Sequence, residues 1–412
     1  MYDISVLEVL HMGERIIFHI DVNNAFLSWS AVYLLQNGYK KDIREVPSII
    51  GGDESKRRGI VLAKSPVAKK YGIKTAETIY EAKKKCPKLE IYPPDYYWYS
   101  KKSKELFSYL EKYTPTIEQF SIDEAFLDMT GTNFLYKDYV ELANQIKNEV
   151  KEKFGFTVNI GVANNKLCAK MASDFEKPDK VHTLFLEEVK EKMWPLPVND
   201  LFMCGKRTTE VLKSLGINTI GQLANTDVNK LRRYFKNQTE HLINSANGID
   251  YSEVKPRSER SIKNESISTT RTLSFDHTDI DKLEEILFRQ ADDLGRQLRK
   301  KKKYAKTIAI IIKNNMFKTY SHQKKLEEAT NKNNIIYKEA CELLKKAWKG
   351  EPIRLIGIRL ADLTTSRDMQ ISIYTNDIDT EDDKMQEVMD NINNKFGYSS
   401  VIPAAMKRRK NK

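Results

Sequence analysis

Apolar and polar residues follow two periods along this chain, and each change of period marks an element. Residues 15–22, RIIFHIDV, read as a buried strand ending in an aspartate. Asn23 and Asn24 break it, and residues 25–36 then carry Phe26, Trp29, Val32 and Tyr33 at helical spacing. Residues 47–63 predict two short strands, IIGG and GIVLA, around a charged loop at 53–58. A short helix follows at 65–71, with Pro66 in its first turn and Gly72 at its end. A second helix is expected at 78–86, then a connection rich in Tyr and Pro, IYPPDYYWY, and a helix at 97–113. Two strands flank the acidic pair Asp123–Glu124 within SIDEAFLD. Helical spacing returns over 135–154, a strand (TVNIGVA) occupies 157–163, and another helix starts over 164–173.

From residue 16 to 163 the order is strand–helix–strand–strand–helix–strand, with an insertion after the first helix. This is the split βαβ, ferredoxin-like order. Short helices fill 201–250, and the polar stretch SEVKPRSERSIK at 252–263 reads as a linker. A second series of the same order follows: strand 266–273, helix 280–300, paired strands 304–312 and 317–326, helix 333–348 and strand 353–363. The fold class is therefore α+β with several domains. The tail from 364 holds MQISIY, an acidic IDTEDD, an amphipathic helix around 384–396 and a basic end, KRRKNK.

Composition narrows the picture. A length of 412 residues allows two to four domains. A net charge of +12 and a pI near 9.1 favour an anionic partner, most simply nucleic acid, with a lysine-rich surface of no special role as the alternative. Four cysteines without a CxxC pair and six scattered histidines argue against disulfides and zinc, and for a reducing, cytoplasmic setting. No apolar run approaches a membrane span, and no signal peptide is recognisable. Met12 begins an alternative start.

The candidate chemistry lies in the carboxylates. Acidic side chains in a strand-like run are costly to bury, and two adjacent ones repel each other as well. A bound cation relieves both costs, whereas a hairpin with Asp-Glu at its turn is the plainer reading. The ferredoxin-like order sets the end of the first strand beside the central hairpin, so Asp21 joins Asp123 and Glu124. Three converging carboxylates suit a two-metal phosphoryl-transfer site. The strand-to-helix turn after Asp21 also points backbone N–H groups outward, where they favour phosphate. A simple helix cap at Asp21 or Asn23 is the alternative.

DVNNAF at 21–26, SIDEAFLD at 121–128 and NIGVANNKLCAKMASDFEKP at 159–178 resemble the Y-family DNA polymerases, the translesion enzymes of the bacterial DNA polymerase IV and UmuC-like group, over roughly residues 14–364. The resemblance implies a right-hand polymerase. Its ferredoxin-like palm takes residues 1–25 and 94–177, its small fingers 26–93, and its helix-hairpin-helix thumb 178–251. A linker at 252–264 leads to a second ferredoxin-like domain, the little finger, at 265–364, and a tail at 365–412. It also implies template-directed DNA synthesis of low fidelity in DNA damage bypass, on primer-template DNA with dNTPs, by a monomer. Two Mg²⁺ ions would be held by Asp21, the Val22 carbonyl, Asp123 and Glu124. Backbone N–H groups of Asn23, Asn24, Ala25 and Phe26 would cradle the triphosphate. Phe26 would be the steric gate against a 2′-OH, and Lys170 a phosphate contact. LFMCGKRTTEVLKSLGINTIGQLA resembles the thumb hairpin, with Gly205 and Lys206 facing a DNA phosphate. The basic run Arg299, Lys300, Lys301, Lys302 would meet backbone phosphates. Gln370, Ile373 and Tyr374 resemble a sliding-clamp peptide.

The chain departs from the family pattern at several positions. Many members have a second acidic residue where Asn23 stands. The usual fingers Tyr and Arg are Pro66 and Lys69, and lysine keeps the charge without the bidentate fork. Nucleotide affinity or selectivity is therefore expected to differ, with activity intact. Met203 replaces the first hairpin glycine. Because Met enters positive φ at a cost, the hairpin's phosphate contact is expected to be weakened or rearranged. Two rivals remain. A non-catalytic relative that binds DNA and the clamp as a scaffold would lose the carboxylate set. A nucleotidyl cyclase would need neither the thumb hairpin, the basic second domain nor the clamp peptide.

Overall fold

The computed structural model describes residues 15–53, 59–256, 266–365 and, in the tail, 385, 388–392, 395–396 and 400–401. Two units divide the chain near residue 260.

In the first unit, strand β1 (Ile17–Val22) turns into helix α1 (Ala25–Gln36). Strands β2 (Ser48–Gly51) and β3 (Val61–Lys64) come next, then helices α2 (Pro66–Lys70) and α3 (Ile79–Lys85) and strand β4 (Glu90–Tyr92). These strands form a small sheet of order β3-β2-β4. Strand β4 falls in the tyrosine-rich stretch expected to be a connection. Its three residues are too few to show a period, and its parallel pairing with β2 is what makes it a strand. Helix α4 (Tyr96–Leu110), strands β5 (Ile117–Gln119) and β6 (Glu124–Asp128), helix α5 (Tyr139–Phe154), strand β7 (Val158–Ala163), helix α6 (Lys166–Asp174) and strand β8 (Val181–Thr183) complete the larger sheet, of order β5-β6-β1-β7-β8. Helix α5 starts four residues later than its periodicity suggests. The Asp138 carboxylate accepts the N–H groups of Val140 and Glu141 and so fixes the helix start there.

Strands β7-β1-β6-β5 are antiparallel neighbours in the expected ferredoxin-like order, and β8 adds a parallel edge strand beyond it. Alternation along β1 decides what each face does. Phe18, Ile20 and Val22 enter a core with Trp29, Tyr99, Leu106 and Ile146. The opposite face of the sheet receives α6, in a second core that joins Ile17, Phe126 and Ala163 to Ala169 and Ala172. Gly161 permits this close approach, because a Cβ there would stand 1.9 Å from the Ala169 carbonyl oxygen. Short helices α7 (Lys206–Ser214), α8 (Ile220–Ala224), α9 (Val228–Phe235) and α10 (Thr239–Ala246) extend the second core through Leu212, Ile220, Leu231 and Ala246.

The second unit has strand β9 (Ile267–His277), helix α11 (Ile280–Lys300), strands β10 (Tyr304–Asn314) and β11 (Thr319–Thr330), helix α12 (Asn333–Ala347) and strand β12 (Ile353–Thr364). The series is the expected one, but the order of strands is not that of the first sheet. It runs β11-β10-β12-β9, so the last strand lies between the first and the second. Side-chain chemistry accounts for this order within the expected α+β series. The apolar strands β10 and β12 take the buried centre, with Ile308, Ile310, Ile356 and Ile358 fully covered. The polar strands β9 and β11 take the edges, where water satisfies them.

Candidate active site

Register brings the acidic residues together. Asp21 faces Glu124 across β1 and β6, and Asn159 across β1 and β7. One residue further, the Val22 N–H donates to the Asp123 carbonyl at 3.1 Å. The Asp123 carboxylate accepts the Ser121 hydroxyl at 2.5 Å. Burial raises the pKa of Asp123, the Ser121 hydrogen bond opposes that, and the charges of Asp21 and Glu124 add to it.

Two lysines answer this charge. The Lys170 ammonium, buried on α6, lies 3.2 Å from Glu124, 3.3 Å from Asp174 and 3.5 Å from Asp21. Lys177 pairs with Asp21 and, at 2.8 Å, with Asp174. Burial works against the charge on both lysines, and the carboxylates outweigh it, so both pKa values rise. Lys170 was expected to contact a phosphate, and the structure places it among the carboxylates. Lys177 was not anticipated, although it closes the motif at 159–178 just before Pro178.

His19 is a second residue that motif reading missed. It lies two positions before Asp21 in β1, hence on the same face, and is fully buried. Its Nδ1 shares a hydrogen bond with the Ser173 hydroxyl at 2.8 Å, and its Nε2 lies 3.3 Å from Glu124. Burial lowers the His19 pKa despite the neighbouring Glu124. Burial also opposes ionisation of Glu124, but the His19 contact and the Lys170 charge prevail and bring its pKa down to about 2.

Among the described residues, no group of three or more His, Cys, Asp or Glu forms a ready-made metal cage. The donor chemistry nonetheless fits a hard divalent cation, since three carboxylates offer oxygen ligands alone. Burial, and after it the charges of Asp21 and Glu124, raise the Asp123 pKa, and a cation at this point would relieve both penalties.

Beside the carboxylates stands the N-terminus of α1. The N–H of Asn23 is already bonded to the Thr157 carbonyl at 2.9 Å, which corrects the expectation that it faces phosphate. The Asn23 side chain is also committed, donating to Asn159 Oδ1 at 3.0 Å and accepting from the Asp179 N–H at 2.9 Å. Among the described residues, no turn or cap hydrogen bond uses the N–H groups of Asn24, Ala25 or Phe26, and no side chain caps this helix. Phe26 is half-buried. It stacks on Tyr99 at 4.7 Å and 11° and meets the edge of Tyr96 at 6.0 Å. The Tyr99 hydroxyl shares a hydrogen bond with the Ser30 hydroxyl at 2.7 Å, so the ring under Phe26 is itself fixed. On the small sheet, Pro66 opens α2 behind the Ser65 cap, and Lys69 is exposed in its last turn.

Met203, at the position of the first hairpin glycine, adopts φ 66° and is largely exposed, so it takes the left-handed conformation that glycine favours. Gly205, at φ −73°, serves as the cap of α7, and Lys206 projects into solvent. In the second unit Lys300, Lys301 and Lys302 are exposed. Arg299 is not available as they are. Its Nε and NH2 grip the Asp390 carboxylate at 2.7 and 3.0 Å, and its NH1 donates to Asn331 O and Asn333 Oδ1. The expected phosphate contact at Arg299 is therefore corrected to an anchor for the tail. Gln370, Ile373 and Tyr374 lie outside the described residues.

Residues 20–174 match the impB/mucB/samB family model, and residues 264–373 match that family's C-terminal domain. The chain belongs to the impB/mucB/samB family, the bacterial branch of the Y-family polymerases. Among its relatives, DNA polymerase IV of Clostridium acetobutylicum is 44% identical over 97% of this chain and 100% of its own length. DNA polymerase IV 1 of Bacillus subtilis is 34% identical over 95% and 93%. A solved Y-family DNA polymerase chimera shares the fold with a TM-score of 0.73 at 24% identity, covering 85% of this chain and 100% of its own.

Proposed function

We propose that this DNA-directed DNA polymerase of the translesion type extends a primer 3′-hydroxyl by two-metal phosphoryl transfer. The observation that carries the reading is the register of β1 against β6, which sets Asp21 opposite Glu124 and ties Val22 to Asp123. Asp21, Asp123 and Glu124, with the Val22 carbonyl, would hold two Mg²⁺ ions. Such ions, when bound, acidify the attacking hydroxyl and neutralise charge on the departing pyrophosphate. His19 lies behind the Glu124 carboxylate, its Nε2 at 3.3 Å and its Nδ1 sharing a hydrogen bond with Ser173. The open N–H groups of Asn24, Ala25 and Phe26 bind triphosphate oxygens. Phe26, braced by Tyr99, excludes a 2′-hydroxyl. Lys170 and Lys177 balance the carboxylates and meet phosphate charge when substrate enters.

Low fidelity and docking on a sliding clamp through residues 370–374 belong to the same reading, as do the domain assignments of palm, fingers, thumb and little finger. The scaffold alternative is disfavoured by the intact carboxylate set. Primer extension with dNTPs and Mg²⁺ tests the reading. Extension by the wild type should vanish when Asp123→Ala and Glu124→Ala are combined. A folded wild type that extends no primer refutes it.

A further inference from the structure

Asn24 spends its side chain in an unusual way. An asparagine before a helix ordinarily turns its amide oxygen onto the N–H groups of the first turn. Here Asn24 lies in the left-handed region, at φ 50° and ψ 52°, and makes no such cap. Its Nδ2 instead donates to the carbonyl oxygen of Lys64 at 2.7 Å. That carbonyl belongs to the last residue of β3, just ahead of α2. The root of α2 is rigid. Ser65 is fully buried, its hydroxyl donates to Val46 O at 2.6 Å, and its oxygen accepts from the N–H groups of Ser48 and Ala68. The Lys64 ammonium donates to Thr75 Oγ1 at 3.1 Å. The charge of Lys69, on α2, is close enough to disfavour the charge on Lys64, after burial as the larger cause.

One amide thus links the uncapped end of α1, which follows β1 of the carboxylate-bearing sheet, to the last residue of β3, two residues ahead of the helix that carries Lys69. We infer that Asn24 is a positioning residue for the nucleotide triphosphate, its bond to Lys64 holding the small sheet and Lys69 at fixed reach from the N–H groups of Asn24, Ala25 and Phe26. The inference rests on the polymerase reading of this site. A triphosphate is long enough to need contacts from two directions, and donors held in place before binding lose less freedom on binding. Lysine cannot fork around a phosphate as arginine does, so a fixed base matters more here. The residue type fits as well. Asparagine enters the left-handed region more readily than other chiral residues, and it brings a donor that glycine lacks.

Asn24→Gly tests this directly, because glycine keeps the backbone angle and removes only the amide. In single-nucleotide insertion, the KM for dNTP should rise about fivefold to tenfold, the worth of one hydrogen bond, with kcat nearly unchanged. Inorganic tripolyphosphate, competing with dNTP, should inhibit the variant more weakly by a similar factor. Asn24→Asp, which keeps the angle and replaces the donor by a negative charge, should raise KM further. Thermal melting of both variants separates this from loss of fold. A folded Asn24→Gly chain with wild-type KM and tripolyphosphate inhibition overturns the inference and leaves the polymerase reading intact. A fall in kcat at unchanged KM also overturns it, since a triphosphate contact acts on binding. A wild type that extends no primer removes the reading beneath it, and the inference with it.

Discussion

Asn23 and Asn24 are adjacent and point to opposite duties. The Asn23 amide is buried, and both of its ends are used, one on Asn159 and one on the Asp179 N–H. Asn159 cannot turn to suit a different neighbour, since its own Nδ2 donates to Ser173 O at 3.0 Å and Glu176 O at 2.6 Å. An acidic side chain at position 23 would set a carboxylate oxygen against Asn159 Oδ1. Asn23→Asp should therefore cost about 1–3 kcal/mol of stability, the penalty of an unsatisfied buried polar group. Chemical denaturation of the two proteins measures this, and equal midpoints would mean that the amide network adapts. The same logic explains why this position does not serve as a fourth carboxylate here.

At the level of elements, the site depends on how closely α6 lies on β7. Lys170 and Ser173 both project from α6 toward β1, and they meet Asp21, Glu124 and His19 there. Gly161 sets that distance. A Cβ at this position would lie 1.9 Å from Ala169 O and 2.6 Å from the Ser173 nitrogen, and both are backbone atoms with no room to yield. Gly161→Ala must push the helix outward, taking Lys170 off the carboxylates and Ser173 off His19. A loss of about 2–3 kcal/mol is expected from overpacking of this kind. Primer extension should fall with it. A variant as stable and as active as the wild type would show that the helix can slide without harm to the site.

For the whole molecule, a net charge of +12 predicts DNA binding that weakens steeply with salt. The second unit distinguishes among its cations. Lys300, Lys301 and Lys302 are exposed, whereas Arg299 is engaged with Asp390, Asn331 and Asn333. Replacing the three lysines with alanine should reduce the slope of log affinity against log salt by up to about three. Arg299→Ala should leave that slope unchanged and loosen the tail instead. A reduced slope in the Arg299 variant would return that residue to the DNA interface. Among the described residues, no helix is long and apolar enough to cross a membrane.

Local pattern determined most elements of this protein, because helix and strand periods depend on near neighbours alone. The helix over Ala25–Gln36 and the one over Ile280–Lys300 match their predicted bounds. The three carboxylates were also legible, since strand order alone sets Asp21 beside the hairpin. Tertiary structure decided what depends on distant partners. Strand β4 exists through its pairing with β2, and the strand order of the second sheet follows from which strands are apolar enough for the centre. Arg299 carries the same charge as its lysine neighbours in the sequence, and a carboxylate 91 residues away removes it from their role. His19, Lys177 and the tether from Asn24 to Lys64 were hidden for the same reason. Each acts through a group that only the folded chain brings within hydrogen-bond reach.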